Sequence, residues 1–198
     1  MVDEEIQAAR EALRAGELVV YPTDTLYGLG CLADREAAVR RLLSVADRPP
    51  GKGLSVIFAR LERARAWSTW TDAAQRLAEA FLPGSLTLIL EASPRSPRTI
   101  LADEGTIGIR HVDREATMEL LEAGPIVATS ANPAGRDPPT TIEEARAYFG
   151  DEVAAYVDAG RLDGPSSTVV DARGERGTVI REGPISEDQI QEASSRGS

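Results

Sequence analysis

Apolar and polar positions along this chain repeat with two periods, one helical and one extended, and the two alternate from the N-terminus onward. Asp3 stands where it can cap a helix over Glu4 to Ala15, with acids in the first turn and Gly16 placed to stop it. The run Leu18-Val19-Val20-Tyr21 then reads as a buried strand, because its side chains are β-branched or aromatic. Pro22 lacks an amide donor and is expected to end the ladder, so that Thr23-Asp24-Thr25 leaves as a turn presenting two hydroxyls and a carboxylate. Gly28 and Gly30 remove Cβ atoms where the chain turns tightly or approaches a ligand, although an ordinary glycine turn after a strand accounts for the same residues. Gly28-x-Gly30-x-x-Ala33 formally matches a dinucleotide fingerprint. It fails in context, since Pro22 to Tyr27 separate it from the strand and the next apolar run, Leu54 to Phe58, ends in Ala59-Arg60 rather than an acid.

Asp34 can cap a second helix, Arg35 to Val45, with Ala38, Leu42 and Val45 on one face. Asp47-Arg48-Pro49-Pro50-Gly51-Lys52-Gly53 reads as a loop before a strand at Leu54 to Ala59. Helices are expected over Leu61 to Trp67 and Asp72 to Phe81, with strands at Leu86 to Leu90 and Thr106 to Arg110. In the last of these Thr106, Gly108 and Arg110 share a face, which suits an anionic ligand or, equally, the solvent face of an edge strand. Asp113 can cap a helix to Ala123, and the strand Ile126 to Ala128 runs into Thr129-Ser130-Ala131-Asn132. Several strand ends thus deliver polar groups, and such ends are where open α/β sheets bind ligands. Thr141 and Glu144 form a capping box for a helix to Phe149. A strand at Ala154 to Asp158, a hairpin of Thr168 to Ala172 with Thr178 to Arg181, and a final helix capped by Ser186 and Gln189 complete the pattern. One domain over residues 1–198 is expected, its core about 5–185 and residues 194–198 a disordered tail.

Composition narrows the function classes. No apolar run approaches the roughly 20 residues of a membrane span, and the N-terminus is acidic where a signal peptide would be basic, so a cytoplasmic protein is expected. A lone cysteine, Cys31, and a lone histidine, His111, exclude a disulfide framework and a Cys/His zinc cluster. The formal charge of −10 opposes unselective polyanion binding but leaves room for a local basic site. All but one of the 22 basic residues are arginine, and the exception, Lys52, sits between two glycines. It reads either as a specific ammonium or as a solvated loop residue.

Taken together, YPTDTLYGLG, DRPPGKGLSV, PGSLTLIL, TIGIR, ATSAN, SSTVVD and VIREG resemble, in order, the motifs of the YrdC-like family of threonylcarbamoyl-AMP synthases from about Gly16 to Gly183. The resemblance implies an open, twisted, mixed α/β sheet with helices packed on it and a large concave cavity. It also implies a nucleotidyltransferase acting on ATP, L-threonine and bicarbonate or carbon dioxide, with Mg2+ accompanying the ATP. The product would serve a tRNA-modifying complex. By motif, Thr23, Ser55, Arg110, Ser130 and Ser167 resemble threonine contacts, and Pro50, Thr106, Asn132, Thr140 and Arg181 resemble ATP contacts. Arg48 and Lys52 stand where catalytic cations belong. The family's usual lysine two residues before the Arg-Pro pair is Ala46 here, so a paralogue with weak or lost synthase activity, binding nucleotide or RNA, is the alternative.

Overall fold

A computed structural model of the chain describes residues 2–49 and 51–195. Its ten strands are β1 (Val19–Pro22), β2 (Tyr27–Gly30), β3 (Ser55–Ile57), β4 (Ser68–Thr69), β5 (Leu86–Ala92), β6 (Thr106–Arg110), β7 (Ile126–Ser130), β8 (Ala155–Tyr156), β9 (Thr168–Asp171) and β10 (Thr178–Arg181). The helices are α1 (Val2–Ala15), α2 (Glu36–Val45), α3 (Leu61–Trp67), α4 (Asp72–Phe81), α5 (Glu115–Leu120), α6 (Ile142–Phe149) and α7 (Glu187–Ser195). The strands form one mixed sheet in the order β10-β9-β5-β6-β3-β7-β2-β1-β8, with β4 paired to β5. The β3–β6, β5–β9 and β1–β8 pairs are parallel and the others antiparallel.

Strand alternation sorts the core into two layers. Val20, Val56, Leu88, Ile107, Ile109 and Val170 point to one face, where α2, α3, α4, α6 and α7 bury their apolar sides. Val19, Tyr21, Ile57 and Ile126 point to the other, where α1 and α5 supply Ile6, Ala9, Leu13 and Leu120. The second face is therefore covered over β1, β3 and β7. Further along the sheet the positions that alternate onto that face include Thr87, Thr106, Gly108, Arg110 and Val169, and of these Thr87, Arg110 and Val169 reach the floor of the site.

Several local expectations are corrected. Pro22 ends β1 as expected, still paired with Tyr27, but the strand after the Thr23-to-Leu26 turn, β2, was not foreseen and forms a hairpin with β1. The glycines of that hairpin do not turn the chain but seat a ring: a Cβ on Gly28 would lie 3.2 Å from Tyr21 Cζ, and one on Gly30 2.7 Å from Tyr21 Cε1 and 2.6 Å from the Val127 carbonyl. The edge-strand reading of Thr106 to Arg110 falls, because β6 lies between β5 and β3. α1 begins at Val2, so Asp3 lies within its first turn instead of capping it. Asp34 and Asp113 cap nothing, since the N-cap positions are Arg35 and Arg114 and neither side chain makes a cap bond. Thr129 and Ser130 belong to β7 itself. The expected tail is ordered where it is described: Ser194 is in α7 and buried, and the Ser194 carbonyl accepts two bonds from Arg76. Residues 196–198 lie outside the described residues.

Candidate active site

The open part of the second face is a cleft of about 310 Å³, near the lower end of the roughly 300–1,000 Å³ typical of small-molecule sites. Thr23, Arg48, Lys52, Ser55, Arg110, Ser130, Ser167 and Arg181, far apart in the chain, all line it. Pro50 falls outside the described residues. Thr106, Asn132 and Thr140 do not line the cleft. Thr106 is buried and donates to Glu104, while Asn132 Nδ2 donates to the carbonyls of Pro133 and Arg136. Thr140 donates through its amide and hydroxyl to Glu144, which holds that exposed carboxyl below the usual range. The Glu144 carboxylate thus reaches Thr140 and not Thr141, although Thr141 Oγ1 still accepts from the Glu144 amide.

Each lining side chain has a local reason for its place. Thr23 Oγ1 accepts from the amides of Thr25 and Leu26 and donates to the Leu26 carbonyl at 2.7 Å, closing the turn between β1 and β2. Its hydrogen-bonding capacity is spent within the turn, so Thr25, also in the lining, has the freer hydroxyl. From behind, Arg114 Nε donates to the Thr23 carbonyl and Thr117 Oγ1 to that of Pro22, which fixes the turn to α5. Ser55 sits opposite Gly108, where a Cβ would lie 2.7 Å from Ser55 Oγ and 3.0 Å from its Cα. Only glycine leaves β3 and β6 this close with Ser55 facing the cleft. Ser167 Oγ is bonded to Thr87 Oγ1 at 2.9 Å and accepts from Arg181 Nη2 at 3.2 Å.

Four cations reach the cleft: Arg48, Lys52, Arg110 and Arg181. Arg48 Nη2 donates to Ser130 Oγ at 3.1 Å and to the Asn132 carbonyl at 3.2 Å, tying the loop after α2 to the end of β7. Burial alone disfavours its charge. Arg181 is depressed first by burial and then by its neighbour Arg110. Arg110 is paired with Asp24 at 2.8 Å. Lys52 is exposed, forms a bridge with Ala102, and makes no ion pair among the described residues. Its loop requires glycine at two positive-φ positions, Gly51 at 87° and Gly53 at 68°. Arg48 Nε, Arg110 Nε, Thr99 Oγ1 and Asn132 Oδ1 are buried without partners. Asn132 lies outside the lining and its Oδ1 is an acceptor, but the crowded cations and the orphaned donors of Arg48, Arg110 and Thr99 around the cleft are relieved by an anion rich in oxygen. Sequence reasoning missed Thr87 and Thr99 as parts of the lining, whereas Thr25 belongs to the turn whose grouped hydroxyls it put forward, and Asp24, in the same turn, sits behind the lining. Asp24 and Thr25 lay in the motif YPTDTLYGLG and Thr87 in PGSLTLIL, which gave its hydroxyl no role, while nothing in the sequence marked Thr99.

An open mixed sheet whose polar face gathers guanidinium groups and hydroxyls defines a small-molecule-binding α/β protein suited to anionic ligands. Residues 11–183 match the Sua5/YciO/YrdC family, described as telomere recombination, and the chain belongs to that family. It is 37% identical over 196 residues to a putative threonylcarbamoyl-AMP synthase of Mycobacterium tuberculosis strain H37Rv, spanning 94% of this chain and 88% of the relative. The structure of Pyrococcus abyssi Sua5 complexed with L-threonine superposes with a TM-score of 0.89 at 31% identity, covering 98% of this chain and 58% of that one. This chain therefore spans a little over half of the P. abyssi protein. Escherichia coli YciO superposes with a TM-score of 0.84 at 28% identity, over 96% and 94% of the two chains. No helix among the described residues is long and apolar enough to cross a membrane.

Proposed function

We propose that this protein is an L-threonylcarbamoyl-AMP synthase, converting L-threonine, bicarbonate or carbon dioxide, and ATP to threonylcarbamoyl-AMP and pyrophosphate. The observation that carries the reading is the convergence of Arg48, Lys52, Arg110 and Arg181 on one hydroxyl-lined cleft in a chain of net charge −10. Relatives named threonylcarbamoyl-AMP synthase, and a related protein complexed with L-threonine, support it.

The reaction needs no enzyme nucleophile. The amine of threonine adds to carbon dioxide and loses a proton, giving a carbamate. A carbamate oxygen attacks the α-phosphorus of ATP, and the bond to pyrophosphate breaks. Catalysis then consists of positioning the reactants and neutralising charge. Arg110 grips the threonine carboxylate, for which a planar guanidinium is suited. Lys52, flanked by glycines, and Arg48, held by Ser130 and the Asn132 carbonyl, stabilise the phosphates as pyrophosphate departs. Arg181, anchored on Ser167, serves the nucleotide. Magnesium enters as part of the ATP substrate. Among the described residues no cluster of three or more His, Cys, Asp or Glu could hold a metal ion, and no step is assigned to a protein-bound ion. The product, an activated acyl phosphate anhydride, supplies an acyl transfer to a tRNA adenosine in a partner complex.

Alanine at position 46 does not strip the cleft of charge. Ala46 is fully buried in the core layer under α2, and its carbonyl accepts from the Ala134 amide. The cleft cations come from other positions, which favours an active synthase over a weakened paralogue. The test is pyrophosphate release by the purified chain, expected only when ATP, L-threonine and bicarbonate are all present. Pyrophosphate release that continues unchanged without threonine removes the assignment.

A further inference from the structure

Arg110, to which the proposed reaction assigns the threonine carboxylate, is held from behind. Its Nη2 donates to Asp24 Oδ1 at 2.8 Å, and the two side chains are only 9% and 11% exposed. The other carboxylate oxygen of Asp24 accepts from Ser85 Oγ at 3.2 Å. Asp24 does not itself line the cleft, while Arg110 does. Among the described residues the Arg110 side chain makes no other hydrogen bond, and its Nε is buried and unpartnered. A guanidinium is a rigid planar fork, so fixing one Nη fixes the direction of every remaining donor. The anchor is itself stiff: the turn carrying Asp24 is closed by Thr23 Oγ1 and bonded to Arg114. Ser85 precedes β5, on the far side of β6 from β3, so the contact joins two elements that are distant in the sequence.

We propose that Asp24, oriented by Ser85, is a positioning residue for the reaction: it fixes Arg110 from outside the cleft so that the unused donors of the guanidinium meet the carboxylate of the amino-acid substrate. The inference rests on the synthase reading of Arg110. Asp24 has a second consequence for the same subsite. Arg110 is close enough to Arg181 to disfavour the latter's charge, after burial, and Asp24 is the acid paired with Arg110. Without it, two like charges share the floor and Arg110 has no direction imposed on it.

Steady-state kinetics on the full chain separate these roles, with KM for threonine and for ATP measured independently. Asp24→Ala is expected to raise the threonine KM about tenfold or more, as loss of a charge-assisted contact on Arg110 implies, with the ATP KM within about twofold of wild type. Asp24→Asn keeps an acceptor oxygen of the same reach and is expected to lose less, about threefold, and Ser85→Ala shifts the same constant in the same direction. In an Arg110→Ala background, Asp24→Ala is expected to have no further effect on the threonine KM, which a merely structural role would not produce. If Arg110→Ala leaves the threonine KM unchanged, the substrate role of Arg110 fails and the proposal with it. If Arg110→Ala raises that KM while folded Asp24→Asn and Ser85→Ala leave it at the wild-type value, the proposal alone is overturned. A parallel rise in both KM values, together with a lowered Tm, also overturns it. Should Asp24→Ala fail to fold, the Asn and Ser85 variants decide the matter.

Discussion

Substituting Gly108 by alanine tests whether the cleft depends on a missing side chain. Gly108 is buried in β6 and directly opposite Ser55 of β3, which is itself sandwiched between β6 and β7. The added methyl would lie 2.7 Å from Ser55 Oγ and 3.0 Å from Ser55 Cα. The hydroxyl can rotate away, but the Cα cannot move without shifting β3 against two neighbours. Such overpacking costs about 1–3 kcal/mol. At roughly 2–4 °C per kcal/mol for a chain of this length, the Tm should fall by about 2–12 °C. Because the displaced atom is a cleft hydroxyl, the threonine KM should rise as well, by about threefold or more if one hydrogen bond to the substrate is lost. The assays are thermal unfolding by circular dichroism and pyrophosphate release at varied threonine concentration. A Gly108→Ala protein with wild-type Tm and wild-type threonine KM would refute the close packing and the placement of Ser55 in the site.

Lys52→Met, which keeps an apolar stem and removes the ammonium, should lower turnover about tenfold or more while leaving threonine affinity near wild type, as measured by single-turnover kinetics and calorimetry. Arg110→Ala should weaken threonine binding by roughly 1.5–3 kcal/mol, read by calorimetry on a protein with an intact circular dichroism spectrum. Ala46→Lys should destabilise the fold, because the position is fully buried and a lysine there would bring an ammonium into the core layer; an unchanged denaturant midpoint would contradict this. Stability should fall with rising alkalinity. Burial pushes the Cys31 thiol from 9.0 up to about 12 and the Tyr27 hydroxyl from 10.0 up to about 12. Between these values the unfolded chain loses protons that the folded chain keeps, so stability present below pH 9 is lost as pH rises toward 12, at no more than about 1.4 kcal/mol per pH unit for each group. Urea unfolding from pH 8 to 10.5 should show a shallower alkaline decline for Cys31→Ala than for wild type.

The sequence alone determined most of the elements. Helices α3 and α4 and strand β6 begin and end where the periodicity places them, because short segments with one buried face carry their own pattern. Local pattern failed at β2. A strand reading Tyr27-Gly28-Leu29-Gly30 has no β-branched residues and two glycines, and it is held by the Tyr21 ring of its hairpin partner and by the backbone of β7, which is distant in the sequence. The capping aspartates failed for a related reason: Asp34 and Asp113 have suitable chemistry, but the chain enters each helix one residue later.

The site divides in the same way. The arginines, hydroxyls and lone lysine were legible as residue types in ordered motifs. Their convergence was decided by the sheet order, which sets β6 beside β3 and β9 beside β5 and turns alternate positions of all four strands toward one uncovered face. What each group is free to do was also a tertiary outcome. Thr23 spends its hydroxyl on its own turn, Thr87 enters the site from a strand motif that gave its hydroxyl no role, Thr99 enters from a segment with no motif, and Asp24 reaches past the turn to hold an arginine 86 residues away. Residue chemistry is written locally, whereas which hydrogen bonds are already taken depends on partners that only the folded chain brings within reach.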